Sequence, residues 1–467
     1  MRHLLPSVPV FPFRLSAGGS RTRNQKSVAW CRLIKGALLL ALAPALLWES
    51  HAGDWPHFLG PKHDLHADPK DAEGLWPETG LRKEWEFAKG RGWACPVVSG
   101  DSVLILHRVE KEEVVDCLDA KTGKVRWHFA YSAPYQDRYG ASDGPRTSPV
   151  IEGGRVYVFG VTGWMHCLDL KSGNVLWKRD LHTDYGMKAN FFGHGCTPLV
   201  SGGRVIQPIG GGEDQCVVAL DAGSGKQLWV ARHEWGAGYA SAVPAEVGGR
   251  SLALVFTGGE TRPPTGGLLC IDAETGKVLG SIAHRARIAE SVNAASPVRV
   301  GDKRVFVSEG YGAGGLLAEI SPQGALSRVW QSVKLGAQFA TPLVRDGLIL
   351  GTDGQNPRLG ELVCLDAETG EEQWREDFGG RFGRCSLVDL GAQGVLALGE
   401  SGELARVRVH RQKCEVVQRQ QLFEAGETWT VPVVAQGRLW VCQNERGRDG
   451  SGPRVFCYSW LSRGGGR

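Results

Sequence analysis

The sequence predicts an all-β chain, an eight-bladed β-propeller of four-stranded antiparallel blades whose ring is closed by an N-terminal strand. Three observations carry this. A hairpin motif returns at a near-constant interval, eight strand-starting segments punctuate the chain, and the strand missing from the last repeat stands near the N-terminus.

The motif is clearest at Cys364 to Trp374 (CLDAETGEEQW), with further copies at Cys117 to Trp127, Cys167 to Trp177, Ala219 to Trp229 and Cys270 to Gly280. Its aspartates, Asp119, Asp169, Asp221, Asp272 and Asp366, are separated by 50, 52, 51 and 94 residues, the last step being two periods. Between them lies a worn copy, Glu319 to Trp330, which keeps Gly324 and Trp330 but has no aspartate. A carboxylate accepting backbone N–H groups just after it, followed by a glycine free to take positive φ, makes a tight turn. Apolar residues before the Asp and alternating ones after the Gly then form two antiparallel strands. A period near 50 residues with four short strands per unit indicates a propeller.

The repeat overrides the two or three domains that 467 residues suggest, and 65 glycines with 16 tryptophans suit many turns and large side chains between blades. Residues 1–52 hold seven basic residues and one acidic, so the remainder has 47 basic against 49 acidic and gives no support to nucleic-acid binding. Arg32 and Lys35 precede the 13-residue apolar run Gly36 to Trp48, and Ser50-His51-Ala52 ends in a small residue. The run is short for a spanning helix, so an export signal cleaved near Ala52 is expected, leaving no transmembrane span in the mature protein. No cysteine directly follows the run, which disfavours a lipid anchor. A periplasmic or secreted product is expected.

Residues 53–78 read as an irregular arm with Trp55 and Phe58 packed on the body, 79–460 as the propeller, and 461–467 as a disordered tail. The units start at Pro96, Ser148, Thr197, Ala242, Ser296, Thr341, Cys385 and Val431. Proline at most of these starts is tolerated because no ladder donor is needed there. The eighth unit stops after Val455 to Trp460, and Thr79 to Trp85 resembles its missing closing segment with one residue added. Closure removes exposed edges.

Trp127, Trp177, Trp229, Trp330 and Trp374 recur in outer strands and are read as packing between blades. Eleven cysteines follow the signal; Cys117, Cys167, Cys270 and Cys364 share one repeat position and cannot pair easily across blades, so they read as small buried hydrophobes. No haem-attachment, paired Cys-x-x-Cys, His-x-His or Gly-x-Ser-x-Gly pattern occurs. Gly210–Glu213 and Gly310–Gly315 are glycine-rich but precede strands, so they read as hairpins. The loops that lead from one blade's outer strand to the next blade's inner strand depart from the repeat. They carry Asp143, Arg146, Asn190, His194, Asn293 and Arg384, the candidates for a shared rim that holds an anion or polar ligand.

The Asp-x-x-Thr/Ser-Gly-x-x-x-Trp units resemble the tryptophan-docking motif of the PQQ-like, or quinoprotein-like, β-propeller family over roughly residues 54–460. Asp54-Trp-Pro-His-Phe-Leu-Gly-Pro61 and Gly144-Pro-Arg-Thr-Ser-Pro149 are similar to features of its secreted bacterial members. The resemblance implies one of two roles. Quinoprotein dehydrogenases bind pyrroloquinoline quinone with calcium on the propeller axis and typically carry a vicinal disulfide, whereas no Cys-Cys pair exists here. The other branch, similar to the outer-membrane assembly factor BamB, is non-catalytic and offers its loops to protein partners. The expectation is a monomeric, exported, non-enzymatic scaffold without catalytic residue, metal or cofactor, binding a protein or small polar ligand in the envelope. Under the dehydrogenase alternative, pyrroloquinoline quinone and calcium are the cofactors, and Asn293 or Glu290 with Glu309 are the calcium or base candidates.

Overall fold

A computed structural model describes residues 53–72, 76–140, 142–355, 360–380 and 382–459; the signal, the cleavage position, Trp460 and the tail lie outside them. The described residues form eight four-stranded antiparallel sheets, each strand hydrogen-bonded to its neighbour in sequence, with one exception at the ring closure. Blades 1 to 7 span 97–132, 150–180, 199–232, 243–283, 298–332, 343–376 and 385–421. Blade 8 takes three strands from 433–459, and its outer strand is Arg82–Ala88. Trp85 stands opposite Cys457 as Trp127 stands opposite Cys117, and both pairings have a register shift on the turn side. The bulge is therefore a regular feature of the repeat, and the added residue of the N-terminal copy falls on the turn side of it, between Gly80 and Lys83.

Sheets stacked face to face around an axis bury both faces of their middle strands, and such strands are near-continuously apolar. Ser102–Val109 and Glu112–Asp119 are buried almost throughout, whereas the outer strand Val125–Ser132 is half exposed. The turn chemistry is uniform. Asp119 Oδ1 accepts from Thr122 N (3.0 Å) and Thr122 Oγ1 (2.9 Å), and Gly123 N donates to Asp119 O (2.8 Å). In the worn copy Ser321 Oγ accepts from Ala325 N (3.1 Å) and takes over the aspartate's work.

Each repeat tryptophan reaches the next blade's turn. The indole N–H of Trp85 donates to Ala120 O (3.1 Å), Trp127 to Leu170 O (2.9 Å), Trp177 to Ala222 O (3.0 Å), Trp229 to Ala273 O (3.2 Å) and Trp330 to Ala367 O (3.1 Å). Trp374 donates to His410 O (2.9 Å). The ring lies on the turn glycine: a Cβ on Gly370 would sit 2.7 Å from Trp330. Two seams differ. Blade 4 has Gly280 at this position, and its outer strand meets blade 5 directly, since a Cβ there would lie 2.7 Å from Leu326 N. In blade 7 Gln418 Nε2 donates to Trp76 O (3.2 Å), while Gln420 brackets Leu81 by accepting from its N–H (2.7 Å) and donating to its carbonyl (3.1 Å).

The arm crosses one face of the ring over the inner strands. Trp55 pairs with Val98 of blade 1, and Pro56 O accepts from Ile151 N of blade 2 (3.0 Å). Lys62 O accepts from Arg299 of blade 5 (3.2 Å), His66 meets Val344 O of blade 6 (2.9 Å), and Ala67 N donates to Asp389 O of blade 7 (2.9 Å). Trp55 and Leu65 are fully buried by this crossing. His57 stacks on His63 at 4.3 Å. Burial pushes the His57 imidazole down to about 4; burial, with His57 and Arg299 beside it, holds His63 well below its ordinary value.

Trp330→Ala should cost about 3 kcal/mol by loss of a packed ring, and Gly370→Ala about 2–4 kcal/mol through positive-φ strain and overlap with that ring. Denaturant unfolding of the double variant should show less than the sum, because the second change no longer meets an indole; additive costs would show that the two do not touch. His57 gives the second expectation. Unfolded, it takes a proton near 6.5; folded, only near 4. Its contribution is therefore full above pH 6.5 and is lost as pH falls toward 4, by at most about 3 kcal/mol. Thermal midpoints from pH 7 to 4 should fall less in His57→Leu than in the parent chain, and parallel curves would refute this.

Candidate functional site

Closure of the ring brings the residue at each inner strand's start to the axis, where the blades are tied to one another. Cys95 N donates to Ser148 Oγ (2.9 Å), Ser148 N to Thr197 Oγ1 (3.0 Å), Thr197 N to Ser241 Oγ (2.9 Å), Ser241 N to Ser296 Oγ (3.2 Å) and Ser296 N to Thr341 Oγ1 (3.1 Å). Ser386 Oγ donates to Trp429 O (3.0 Å), and Val431 N to Cys95 Sγ (3.2 Å). A Ser or Thr at this position, followed by proline in blades 2, 3, 5 and 6, supplies the acceptor for a backbone N–H that the axis hides from water.

Two residues upstream of this ring, the side chains enclose an axial cavity of about 150 Å3, and Phe58 of the arm also lines it. Trp429 is sandwiched between Trp93 (4.0 Å, 13°) and Phe339 (4.1 Å, 20°). The Arg384 guanidinium lies 5.1 Å from the Phe339 ring and 5.3 Å from that of Trp429. It donates through Nε to Glu400 Oε1 (2.6 Å) and through Nη1 to Gln338 Oε1 (2.5 Å), and Trp429 Nε1 donates to the same Glu400 oxygen (3.1 Å). Across the cavity Arg146 lies 5.3 Å over Phe192 and donates to Asp137 Oδ2 (2.6 Å), whose side chain is fully buried. Phe192 N donates to Tyr239 Oη (3.0 Å). Both arginines thus carry a matched carboxylate.

The rim residues singled out in the sequence divide. Arg146 lines the cavity, Arg384 lies on its aromatic wall, and Asp143 accepts from Asp137 N (2.7 Å) beside Arg146. The rest belong to separate networks. Asn190 Nδ2 donates to Ala237 O (2.8 Å). His194 lies 3.4 Å from His182 and 5.8 Å from the Phe159 ring, and burial pushes it down to about 4. Asn293 is fully buried and donates to Thr257 O (2.9 Å). Trp93, Phe339, Trp429, Tyr239 and Phe58 were not read as site residues. A signal existed: Trp93, Arg146, Gly195, Tyr239, Ala294, Phe339, Arg384 and Trp429 each stand two residues before the repeat position held by Cys95, Ser148, Thr197, Ser241, Ser296, Thr341, Ser386 and Val431.

The family described as outer membrane protein assembly factor BamB matches residues 110–376, more than half of the chain. The chain belongs to this PQQ-like propeller family. It is 31% identical to the quinohemoprotein alcohol dehydrogenase ADH-IIG of Pseudomonas putida over 159 residues, 32% of this chain and 21% of that protein. It is 26% identical to the dehydrogenase subunit of the Acetobacter aceti quinone alcohol dehydrogenase over 264 residues, 50% of this chain and 32% of that one. The matches span a third or less of these relatives' length. Among solved structures, BamB from Moraxella catarrhalis superposes with a TM-score of 0.56 at 16% identity, covering 83% of this chain and 99% of that one. The Comamonas testosteroni quinohemoprotein alcohol dehydrogenase gives 0.63 at 14%, covering 88% and 81%. These two likenesses concern the fold alone.

The carboxylates do not fit a quinone held with calcium: Glu309 is buried in an ion pair with Arg285 and also accepts from Ala286 N (3.2 Å), and Glu290 pairs with Arg262, which leaves Asn293 Oδ1, buried without a hydrogen-bond partner among the described residues, as the one open oxygen of the three candidates. Among the described residues no group of three or more His, Cys, Asp or Glu is placed to hold a metal. The arginines that would meet a cofactor's carboxylates are already neutralised.

Removing Arg384 leaves Glu400 buried without its cation, so Arg384→Met should cost about 3–5 kcal/mol at neutral pH. Adding Glu400→Gln should restore most of this in a denaturant series; no restoration would place the cost in lost stacking instead.

Proposed function

We propose that the protein is an exported, non-catalytic scaffold of the cell envelope that engages a protein or other ligand through the rim and cavity on the propeller axis. The observation that supports this reading is the pairing of the charges bordering the cavity, Arg146 with Asp137 and Arg384 with Glu400. A general base or cation site needs an acid with a free lone pair aimed at substrate, and Glu309 is instead engaged by Arg285. Arg146, with Asp143 beside it, and Arg384 across the cavity form the ligand rim. Cofactor-free binding by a monomer follows from this reading. Export is supported by the apolar run 36–48, and no helix among the described residues is long and apolar enough to cross a membrane.

The identities to two alcohol dehydrogenases favour a second reading, a dehydrogenase using pyrroloquinoline quinone and calcium. Titrating the full chain with both, while following tryptophan fluorescence and thermal midpoint, separates the two. A ligand bound only by the native state at a hundred times its Kd adds about 2.7 kcal/mol. No shift is expected. A saturable, calcium-dependent rise would establish the dehydrogenase reading.

A further inference from the structure

We infer that the axial cavity is a socket for one uncharged aromatic side chain carried on an extended segment of a partner protein. This deepens the scaffold reading and rests on it. The cavity is blind, because the arm crosses the inner strands on one face and Phe58 lines it from there. A space of about 150 Å3, lined by aromatic rings with Val292, Ala294 and Val431 and bordered by the hydroxyls of Ser148, Thr197, Ser241 and Thr341, admits one benzene-sized ring. The wall offers aromatic surface to the occupant: the edge of the Trp93–Trp429–Phe339 stack on one side, Phe192 and Tyr239 on the other. Offset or edge-on contact with such surface favours a ring over an aliphatic chain of equal size. The cations behind the rings are matched by buried carboxylates, so a charged occupant would lose its hydration and find no free counter-charge.

The occupant extends beyond the cavity. Phe192 of the wall meets Phe191 edge-on at 4.7 Å, and Tyr139, 60% exposed, meets Phe191 edge-on at 5.6 Å and Phe192 at 6.0 Å. Aromatic contacts therefore run from Phe192 of the wall directly to the exposed Tyr139, with Phe191 buried beneath both. A single free ring would leave the outer part of this surface bare. A ring anchored in a pocket with flanking residues laid along an aromatic strip is the geometry of an interface hot spot.

The test is calorimetric titration of the full chain with the acetylated, amidated pentapeptide Gly-Ser-Phe-Ser-Gly, its Leu counterpart, and N-acetylphenylalaninamide as the ring without a chain. Saturable binding of the Phe peptide, roughly tenfold or more tighter than either control, is expected. Equal affinity for the Leu peptide overturns the aromatic assignment, and equal affinity for the single residue overturns the extended segment. Binding of none of the three overturns the socket, whereas the scaffold reading fails separately, on a calcium-dependent response to the quinone. Two variants localise the site. Phe339→Ala removes one wall of the stack and Ala340→Leu fills the space from the lining; each should weaken the Phe peptide roughly tenfold or more. Should Phe339→Ala fail to fold, Ala340→Leu decides, and unchanged binding by a folded Ala340→Leu chain overturns the placement.

Discussion

Everything in this molecule depends on one contact, an indole of one blade lying on the turn glycine of the next with its N–H on the turn's carbonyl. The contact joins two halves of the same repeat: the turn, which the aspartate holds in shape, and the tryptophan eight residues beyond it. A blade therefore carries a socket on one side and a plug on the other, and identical blades can only add in one direction. The N-terminal strand matters for the same reason. It brings Trp85 to the turn of blade 1, with its indole on Ala120 O, so the last seam is made by the same device as the others.

Two seams show what the device requires. Where Gly280 replaces the indole, the neighbouring outer strands close the gap themselves, with Leu279 against Gly324. Where blade 7 has neither tryptophan nor aspartate, a glutamine amide delivers an N–H to the carbonyl of Trp76. A donor to the next turn or direct strand contact suffices, and the large ring is the commonest way to obtain both. Because the seams fix the angle between blades, they also fix what meets at the axis: a hydroxyl at each inner-strand start in most blades, then, two residues upstream, side chains that do not repeat.

Much of the scaffold was legible because its signals are local. Asp366, Thr369 and Gly370 form their turn with partners three and four residues away, so spacing alone reveals it. The closing strand was legible as a copy of the motif displaced to the other end of the chain. The axis was not legible in the same way, since its members are about fifty residues apart and related only by the ring. Charged and amide residues in the linking loops drew attention as ligand groups, yet such a residue can equally find its partner in its own loop or the adjoining one. Asn190 found Ala237 O and His194 found His182. Trp93 and Trp429, lost among many structural tryptophans, carry no local mark that separates stacking across an axis from docking onto a turn. Their common offset from the strand starts does separate them.

The same division bears on what the family resemblance means. The matched region, 110–376, covers the stretch where the turn-and-indole device is repeated most faithfully, so the match reports the seams. Trp93, Arg384 and Trp429 lie outside that stretch and supply the stacked wall of the cavity. Within it, Glu309 is turned toward Arg285 and held by a backbone N–H. A propeller whose seams are constant is free to change its axial side chains, because the ring is already stable without them. In this chain they are aromatic rings backed by neutralised arginines. Such buried pairs add little net stability, but they hold rings in place and leave neither arginine without a carboxylate partner. That favours recognition by shape and stacking over chemistry driven by an ionised group.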